Sequence, residues 1–364
     1  MMTADQMLQS APAWVNSRSA GDDIVIATIG RLVRNLRGEA FPGWSTAEGR
    51  ARVAARILPV LKTLPGMSRD TFCAEMADLN YETRRALLCS KLLTPCMAAR
   101  REGCHVLIPR RRHMTFLINE EEHLAVHAFR SGAACETVVR ELLTLAEKLE
   151  EKLPSAHDPA FGYQTSLPSE AGDGLQLYQV LHLPALTMAG MMPQVTRAAE
   201  KLHVSISPFY ADGNEETGNT YVFFSIPGPE GSAEELTDYF SNLMSRLCER
   251  ERQVRVKLQE NSPDSLTDCF GRAYGLLRYA RRLSLKELRD TCSVLRLATV
   301  LGHLIPEADT ADSIAEWREL ERRLTVQSAL TPEAEEEQLP ALRAAAARRF
   351  LAEHPHHFNT LYES

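Results

Sequence analysis

Over the first 230 residues, short apolar runs alternate with stretches in which apolar residues recur at three and four. Beyond that point the helical spacing continues alone. After the turn Gly21-Asp22-Asp23, residues Ile24 to Ile29 read as a short buried strand, and Gly30 to Arg37 as a basic helical stretch or loop that ends at Phe41-Pro42-Gly43. Helical spacing predicts helices over 45–58, with Ser45 as N-cap, over 76–93, stopped by Pro95, and over 135–153. Between them, 104–109 and 113–118 form a hairpin around the basic turn Arg110-Arg111-Arg112, leading into Asn119-Glu120-Glu121-Glu122-His123. The polar Pro/Gly segment 154–176 reads as a long loop. Strands at 177–183, 204–209 and 221–226, a helix at 187–202 and a Gly/Asn-rich turn at 211–219 complete a mixed α+β unit. From Ser232 onward only helices follow: 233–259, 264–282, 284–303, 311–326 and 335–353. Two domains are expected, 1–260 and 261–364.

Composition narrows the class. A chain of 364 residues with 44% hydrophobic residues and a mean hydropathy of −0.24 has ample core and excludes disorder, collagen and small disulfide scaffolds. Net charge is −7 and the pI about 5.9, so no nucleic-acid footprint is expected over the whole molecule. Lysine occurs at only seven positions, so most of the 41 basic residues are arginine. No apolar run reaches a membrane span, and the N-terminus lacks the basic start and apolar stretch of a secretion signal, which predicts a cytoplasmic protein without a membrane partner. The eight cysteines include no CxxC pair, and gaps among Cys89, Cys96 and Cys104 do not match zinc-ligand spacing; ordinary thiols and no metal site are expected.

Three stretches could carry chemistry. Asn119 to His123 crowds carboxylates that could act as a base or hold a guanidinium, or simply form a solvated acidic cap. The loop 161–176, with Gly172 and Gly174, could let backbone amides approach an anion, although it is no dinucleotide or Walker fingerprint. Arg31, Arg34 and Arg37 are spaced by three, a phosphate-binding ridge or a solvated face if helical.

Taken in order, these stretches resemble the phosphagen (ATP:guanido) kinase superfamily, in its bacterial protein-arginine kinase branch. Asp23-Ile-Val-Ile-Ala-Thr-Ile-Gly-Arg-Leu-Val-Arg-Asn-Leu36 is similar to D-I-V-x-S-(S/T)-R-I-R-L-A-R-N-L, and Asn119-Glu-Glu-Glu-His-Leu124 to N-E-E-D-H-(L/I)-R. Gly162 to Gln176 is similar to G-Y-L-T-S-C-P-T-N-x-G-T-G-L-R, Leu181 to Leu186 carries H-L-P-A-L, and Gly218 to Tyr221 carries G-N-x-(Y/F). Arg272 to Leu277, Leu295 to Leu297 and Leu301-Gly302 are similar to R-S-Y-G-x-L, V-R-L-G and L-G. The resemblance implies a catalytic-type α+β domain around an antiparallel sheet, then an all-helical, dimer-forming domain. It implies Mg-ATP held by several arginines, Glu121 orienting an acceptor guanidinium, and Thr28, Arg31 and His182 at nucleotide positions.

The same alignment predicts lost function. Ile29, Ala125, Gln176 and Ser207 stand where four phosphate-clamp arginines belong, and only Arg31 remains of five. Asp212 takes the place of the second substrate carboxylate, and Leu167 that of a reactive cysteine. Residues 339–344 keep Arg343 of R-D-x-x-R-A, the motif that reads phosphoarginine, without its first arginine and aspartate. One donor to a developing oxyanion contributes about 10²–10³ in rate, so several losses predict a pseudokinase with impaired Mg-ATP binding and a regulatory role in protein quality control or stress response. Expected partners are a second copy through the helical domain, a zinc-binding activator protein, a chaperone–protease component or an active kinase paralogue. Two alternatives stay open. One is an active kinase whose clamp is rebuilt from Arg34, Arg37, Arg110–Arg112 or Arg130, and the other a metabolite-binding protein reusing the cleft.

Overall fold

A computed structural model describes residues 7–8, 12, 23–67, 71–100, 102–111, 113–167, 170–212, 215–226, 232–307 and 313–359. Its centre is an eight-stranded sheet in the order β2-β3-β4-β5-β1-β8-β10-β9, antiparallel at every pairing. The strands are β1 (Val25–Arg34), β2 (Phe72–Glu75), β3 (His105–Ile108), β4 (Met114–Ile118), β5 (Leu124–Ser131), β8 (Leu175–His182), β9 (Val204–Asp212) and β10 (Glu215–Ser225). A two-stranded ribbon, β6 (His157–Asp158) with β7 (Gly162–Tyr163), interrupts the expected long loop. No described helix is long and apolar enough to cross a membrane, and no disulfide joins any of the eight cysteines.

One face of the sheet is buried under helices α1 (Ala47–Lys62), α4 (Cys135–Glu150), α6 (Met192–Lys201) and α7 (Ala233–Asn261), with Val53, Ile57, Val138, Leu142, Phe240 and Met244 closing the core. Gly30 permits this closeness. A Cβ there would lie 2.4 Å from Val138 Cγ1 and 2.6 Å from Leu142 Cδ1. Against the other face lie α2 (Tyr81–Cys89) and α3 (Pro95–Ala99), where Met76, Leu87 and Met97 pack with Val33, Leu117 and Ala125.

The C-terminal helices α8 (Pro263–Tyr279), α9 (Leu285–Val300), α10 (Ser313–Leu330) and α11 (Leu339–Glu353) build a separate core around Phe270, Leu295 and Trp317. A second ribbon, β11 (Leu304–Pro306) with β12 (His356–Phe358), ties its ends. This helical region is fastened to the sheet. Arg85 on α2 donates from Nε to the Ala329 carbonyl at 3.1 Å, and Asp290 Oδ1 accepts from the Gly218 amide at 2.8 Å.

Several expectations need correction. Gly30 to Arg34 is not helical but extends β1, because a central strand buried on both faces has an apolar run without clear alternation. Arg31 and Arg34 therefore point to opposite faces and form no ridge. Helix 76–93 breaks up: a 3₁₀ turn at Met76–Asp78 is followed by α2, capped by Asn80. Pro95 starts α3 rather than only stopping a helix, since its ring suits a first-turn position and Thr94 supplies the cap. The helix at 187–202 divides at Gly190, whose φ of +67° ends α5 (Pro184–Met188) before α6 begins. Thr46, not Ser45, caps α1. The turn at 211–219 is shortened by strands reaching Asp212 and resuming at Glu215, and residues 213–214 lie outside the described set.

Candidate functional site

Strand register decides which of the flagged residues share a surface. Arg31 pairs with His127 on β5 and with Gln176 on β8, while Ile29 pairs with Phe129 and Tyr178 and Val33 with Ala125. Val222 bridges Val180 on β8 and Ser207 on β9. Side chains alternate along a strand, so Ile29, Arg31, Ala125, Gln176 and Ser207 all belong to one face, the one opposite α4 and α7.

At one end of that face, Arg31 is 6% exposed and is gripped by acids. Its Nη1 donates to Glu170 Oε2 at 2.5 Å and its Nη2 to Glu120 Oε2 at 3.4 Å; Glu121 Oε2 stands 3.9 Å away. Burial opposes the charge, but Glu170 and Glu120 outweigh it and hold the guanidinium above its ordinary pKa. The two acids come from different segments. Glu120 and Glu121 sit in the tight loop between β4 and β5, which Asn119 enters at φ +58° and closes through its amide to the His123 carbonyl at 3.1 Å. Thr94, already the cap of α3, also donates to Glu120 Oε1. Glu170 is carried by the segment after β7 and is itself 6% exposed.

That segment is fastened at further points. Glu122 accepts from Asn35, from the Ser166 amide at 2.7 Å and from the Ser166 hydroxyl at 3.1 Å, and burial still pushes its carboxyl above the usual range. Arg34 donates to the Asp173 carbonyl at 2.9 Å and stacks 3.5 Å over the Tyr163 ring. Gln176, where the resemblance expects an arginine, accepts from the Tyr178 hydroxyl at 2.6 Å. Ala125 is fully buried in the apolar core beside Val33 and Leu117; Ile29 and Ser207 are half-buried. His127, next to Arg31, is driven down to about 4 by burial and by that guanidinium.

The other expected residues do not join this cluster. Thr28 faces the helices: its hydroxyl donates to the Gly132 carbonyl at 2.6 Å and accepts from the Ala134 amide at 3.0 Å. His182, 1% exposed, lies at the far end of β8, where Nε2 is 2.7 Å from Ser293 Oγ on α9. Burial, reinforced by Arg296, Arg255 and Arg318, keeps that imidazole well below its ordinary pKa. Asp212 closes β9, and its side chain lies outside the described residues, as does Arg112. Arg34 and Arg130 cannot rebuild the clamp where they stand. Both belong to the face under α4 and α7, and Arg130 pairs with Glu141. Sequence reasoning missed Glu170 and Lys91. Glu170 stands where the motif has asparagine, a gapless substitution that was visible. Lys91 Nζ donates to the Phe209 carbonyl at 2.5 Å, over the same face as Ser207, and burial pulls it down to about 8; no motif marks it.

Around Arg31 the balance is one guanidinium against three carboxylates. Such a site repels a nucleotide triphosphate, and its apolar neighbours Ile29 and Ala125 offer no donors, so the residues present do not fit Mg-ATP. No group of three or more His, Cys, Asp or Glu side chains arranged for a metal ion occurs among the described residues.

Comparison with known proteins places this geometry. The pattern of the ATP:guanido phosphotransferase C-terminal catalytic domain matches residues 52–254, and that of the protein-arginine kinase McsB C-terminal domain matches residues 263–360. A protein-arginine kinase of Exiguobacterium sp. is 31% identical over 294 residues, covering 80% of this chain and 82% of that protein. One from Syntrophomonas wolfei is 31% identical over 303 residues, covering 81% and 82%. Among solved structures, lombricine kinase superposes with a TM-score of 0.56 at 18% identity, covering 68% of this chain and 73% of that one, a likeness of fold.

Proposed function

Because this chain belongs to the ATP:guanido phosphotransferase family, in its protein-arginine kinase branch, we propose that it is a pseudokinase: a family member that has given up phosphoryl transfer and acts by binding. The observation that carries this reading is the capture of Arg31 between Glu170 and Glu120. Phosphoryl transfer relies on positioning and on positive charge spread around the moving group. Here the guanidinium at the retained clamp position is already paired with two buried carboxylates, Glu170 and Glu120. A phosphate that takes the place of Glu170 on Arg31 leaves a buried carboxylate without its cation, a change that costs about 3–5 kcal/mol in comparable buried pairs. The loss at Ala125 is built into packing, since its neighbours Val33 and Leu117 are core residues. In this reading the retained fold is a scaffold for a regulatory contact in protein quality control or stress response. Candidate partners are a second copy or an active paralogue through the helical region, a zinc-binding activator protein, or a chaperone–protease component.

The test is incubation of the purified chain with Mg-ATP and an arginine-rich protein, followed by mass spectrometry under conditions that preserve acid-labile phosphoarginine. No product above background is expected. Turnover at rates usual for kinases, about 1–100 per second, overturns the reading.

A further inference from the structure

Between the turn that follows α1 and the helix α4, the sheet is left uncovered in a recess of about 430 Å³. Leu64, Met67, Met114 and Leu145 are half-buried in its wall and pack against the main core beneath. The volume takes one large apolar side chain with room for its neighbours. Two of the four are methionines, whose unbranched thioether chains adapt to varied apolar shapes.

The rim has the opposite character. Arg140 and Lys148 of α4 line it, and Lys152, just past that helix, reaches Thr63 beside the turn at 3.4 Å. Arg111, exposed in the turn between β3 and β4, stands near His113 in the wall, where burial, Arg130 and Arg111 hold the imidazole below its ordinary pKa against Glu141. Little of this positive charge is neutralised within the chain. Arg130 and Glu141 pair with each other. Arg140 meets Glu136 at 3.7 Å, but the two side chains are 67% and 87% exposed and such a pair holds weakly. Arg111, Lys148 and Lys152 enter no ion pair among the described residues.

An apolar recess inside a positive rim suits an anion that also carries an apolar group, and the spacing of the rim selects among such anions. Arg140 and Lys148 stand two turns apart on α4, about 12 Å along the helix axis. One carboxylate cannot meet both, which argues against a fatty acid or another single-headed amphiphile. A bilayer surface cannot follow the wall into the recess. A polypeptide satisfies both demands, because one side chain can enter as an anchor while acids on either side of it reach separate cations. We propose that this recess docks an acidic segment of a partner protein, with one large apolar side chain among Leu64, Met67, Met114 and Leu145 and carboxylates on either side facing Arg140 and Lys148. The recess lies on the face opposite Arg31, so the proposal does not depend on whether phosphoryl transfer survives.

Fluorescence anisotropy with the full chain tests it, using a fluorescein-labelled peptide EEDEFLDEED, the same peptide with two serines in place of Phe-Leu, and a third with glutamines in place of the acids. The first is expected to bind at least about tenfold tighter than either of the others, and more weakly as salt is raised. Arg140→Glu combined with Lys148→Glu, both at exposed positions, should weaken it at least about tenfold. Arg281→Glu combined with Arg282→Glu, exposed in the turn between α8 and α9, should change it by less than about twofold. Neither decanoate nor phosphatidylglycerol vesicles should displace the peptide. No binding of the first peptide, equal binding of the serine peptide, displacement by decanoate or vesicles, an unchanged affinity in the Arg140 and Lys148 variant, or an equal loss in the Arg281 and Arg282 variant overturns the proposal.

Discussion

Replacing Glu170 by asparagine, the residue type of the resembled motif at that position, separates the stability of the acid-gripped cluster from its effect on nucleotide binding. The perturbation removes the closest of the three carboxylates around Arg31. Both partners of the 2.5 Å contact are less than a tenth exposed, so the pair is buried. The guanidinium is not orphaned, because Glu120 remains 3.4 Å away. The stability loss should therefore fall below the full cost of breaking a buried pair and near that of a charge-assisted hydrogen bond, about 1.5–3 kcal/mol. Nucleotide binding should move the other way. A like charge about 4 Å from an incoming phosphate costs about 4 kcal/mol at the effective dielectric of a protein surface, and screening reduces this to about 1–3 kcal/mol, or roughly five- to 150-fold in affinity. Thermal unfolding with and without Mg-ATP reads both effects. The wild-type midpoint should be insensitive to millimolar Mg-ATP. The variant should unfold earlier alone and recover part of the loss with nucleotide. A wild type stabilised by ATP as much as the variant, or a variant more stable than wild type without ligand, would refute the reasoning.

Further outcomes follow from the packing. Gly30→Ala forces a methyl group into Val138 and Leu142 and should cost about 1–3 kcal/mol in urea denaturation, whereas Gly43→Ala, with nothing within 4 Å, should be near neutral. Ser293→Ala removes the hydroxyl shared by His182 at 2.7 Å and Asn219 at 2.9 Å; it should cost about 1–3 kcal/mol and speed hydrogen exchange around Gly218. Burial raises Glu321 to about 7, only partly opposed by Arg289 and Arg296. Its unfolded value is near 4.3, so the folded state keeps a proton that the unfolded state has lost between those pH values. The stability contribution of this group is thus greatest below about pH 4, falls as pH rises to about 7 and is flat above, with a total swing of about 4 kcal/mol. Glu321→Gln should gain relative to wild type across that window when urea midpoints are compared at pH 5 and pH 8.

The large elements were legible because their physics is local. The helix at 135–153 shows its spacing in Val138, Val139, Leu142 and Leu149, and the structure forms it over Cys135–Glu150. The α+β assignment and the helical C-terminal part follow from the same periodicities. What failed depended on tertiary context. Strand β1 hides its alternation because the sheet buries both faces, and the arginine spacing at 31, 34 and 37 then reads as helical when it is not. Pro95 cannot be told as a stop or a start without knowing that Thr94 caps the turn behind it. The candidate site was legible as positions on a motif, and strand register adds that Ile29, Arg31, Ala125, Gln176 and Ser207 share one face. The partners of Arg31 were not legible, since Glu120 and Glu170 are 89 and 139 residues away in sequence.

The gain of Glu170 and the missing arginines are connected through charge. Where the resemblance expects four arginines, Ile29, Ala125, Gln176 and Ser207 carry no charge, so there is no electrostatic need for another carboxylate there and Glu170 does not compensate for them. It compensates Arg31. A guanidinium buried on the sheet face must have a constant anionic partner, or else bear its desolvation until a ligand arrives. A working phosphate site accepts that wait, because an unsatisfied arginine is what the nucleotide binds. Glu170 ends the wait by supplying an anion from the chain itself, so the cluster becomes a structural contact that fastens the 161–174 segment to β1. The same segment is held by Ser166 on Glu122 and by Arg34 on Asp173 and Tyr163. Stability bought at a site whose function needs strain or vacancy is a common direction of change once selection for turnover relaxes. On this argument Arg31 persists not as a remnant of the phosphate clamp but as the anchor of that segment, and it would be retained even if nucleotide binding had been lost entirely.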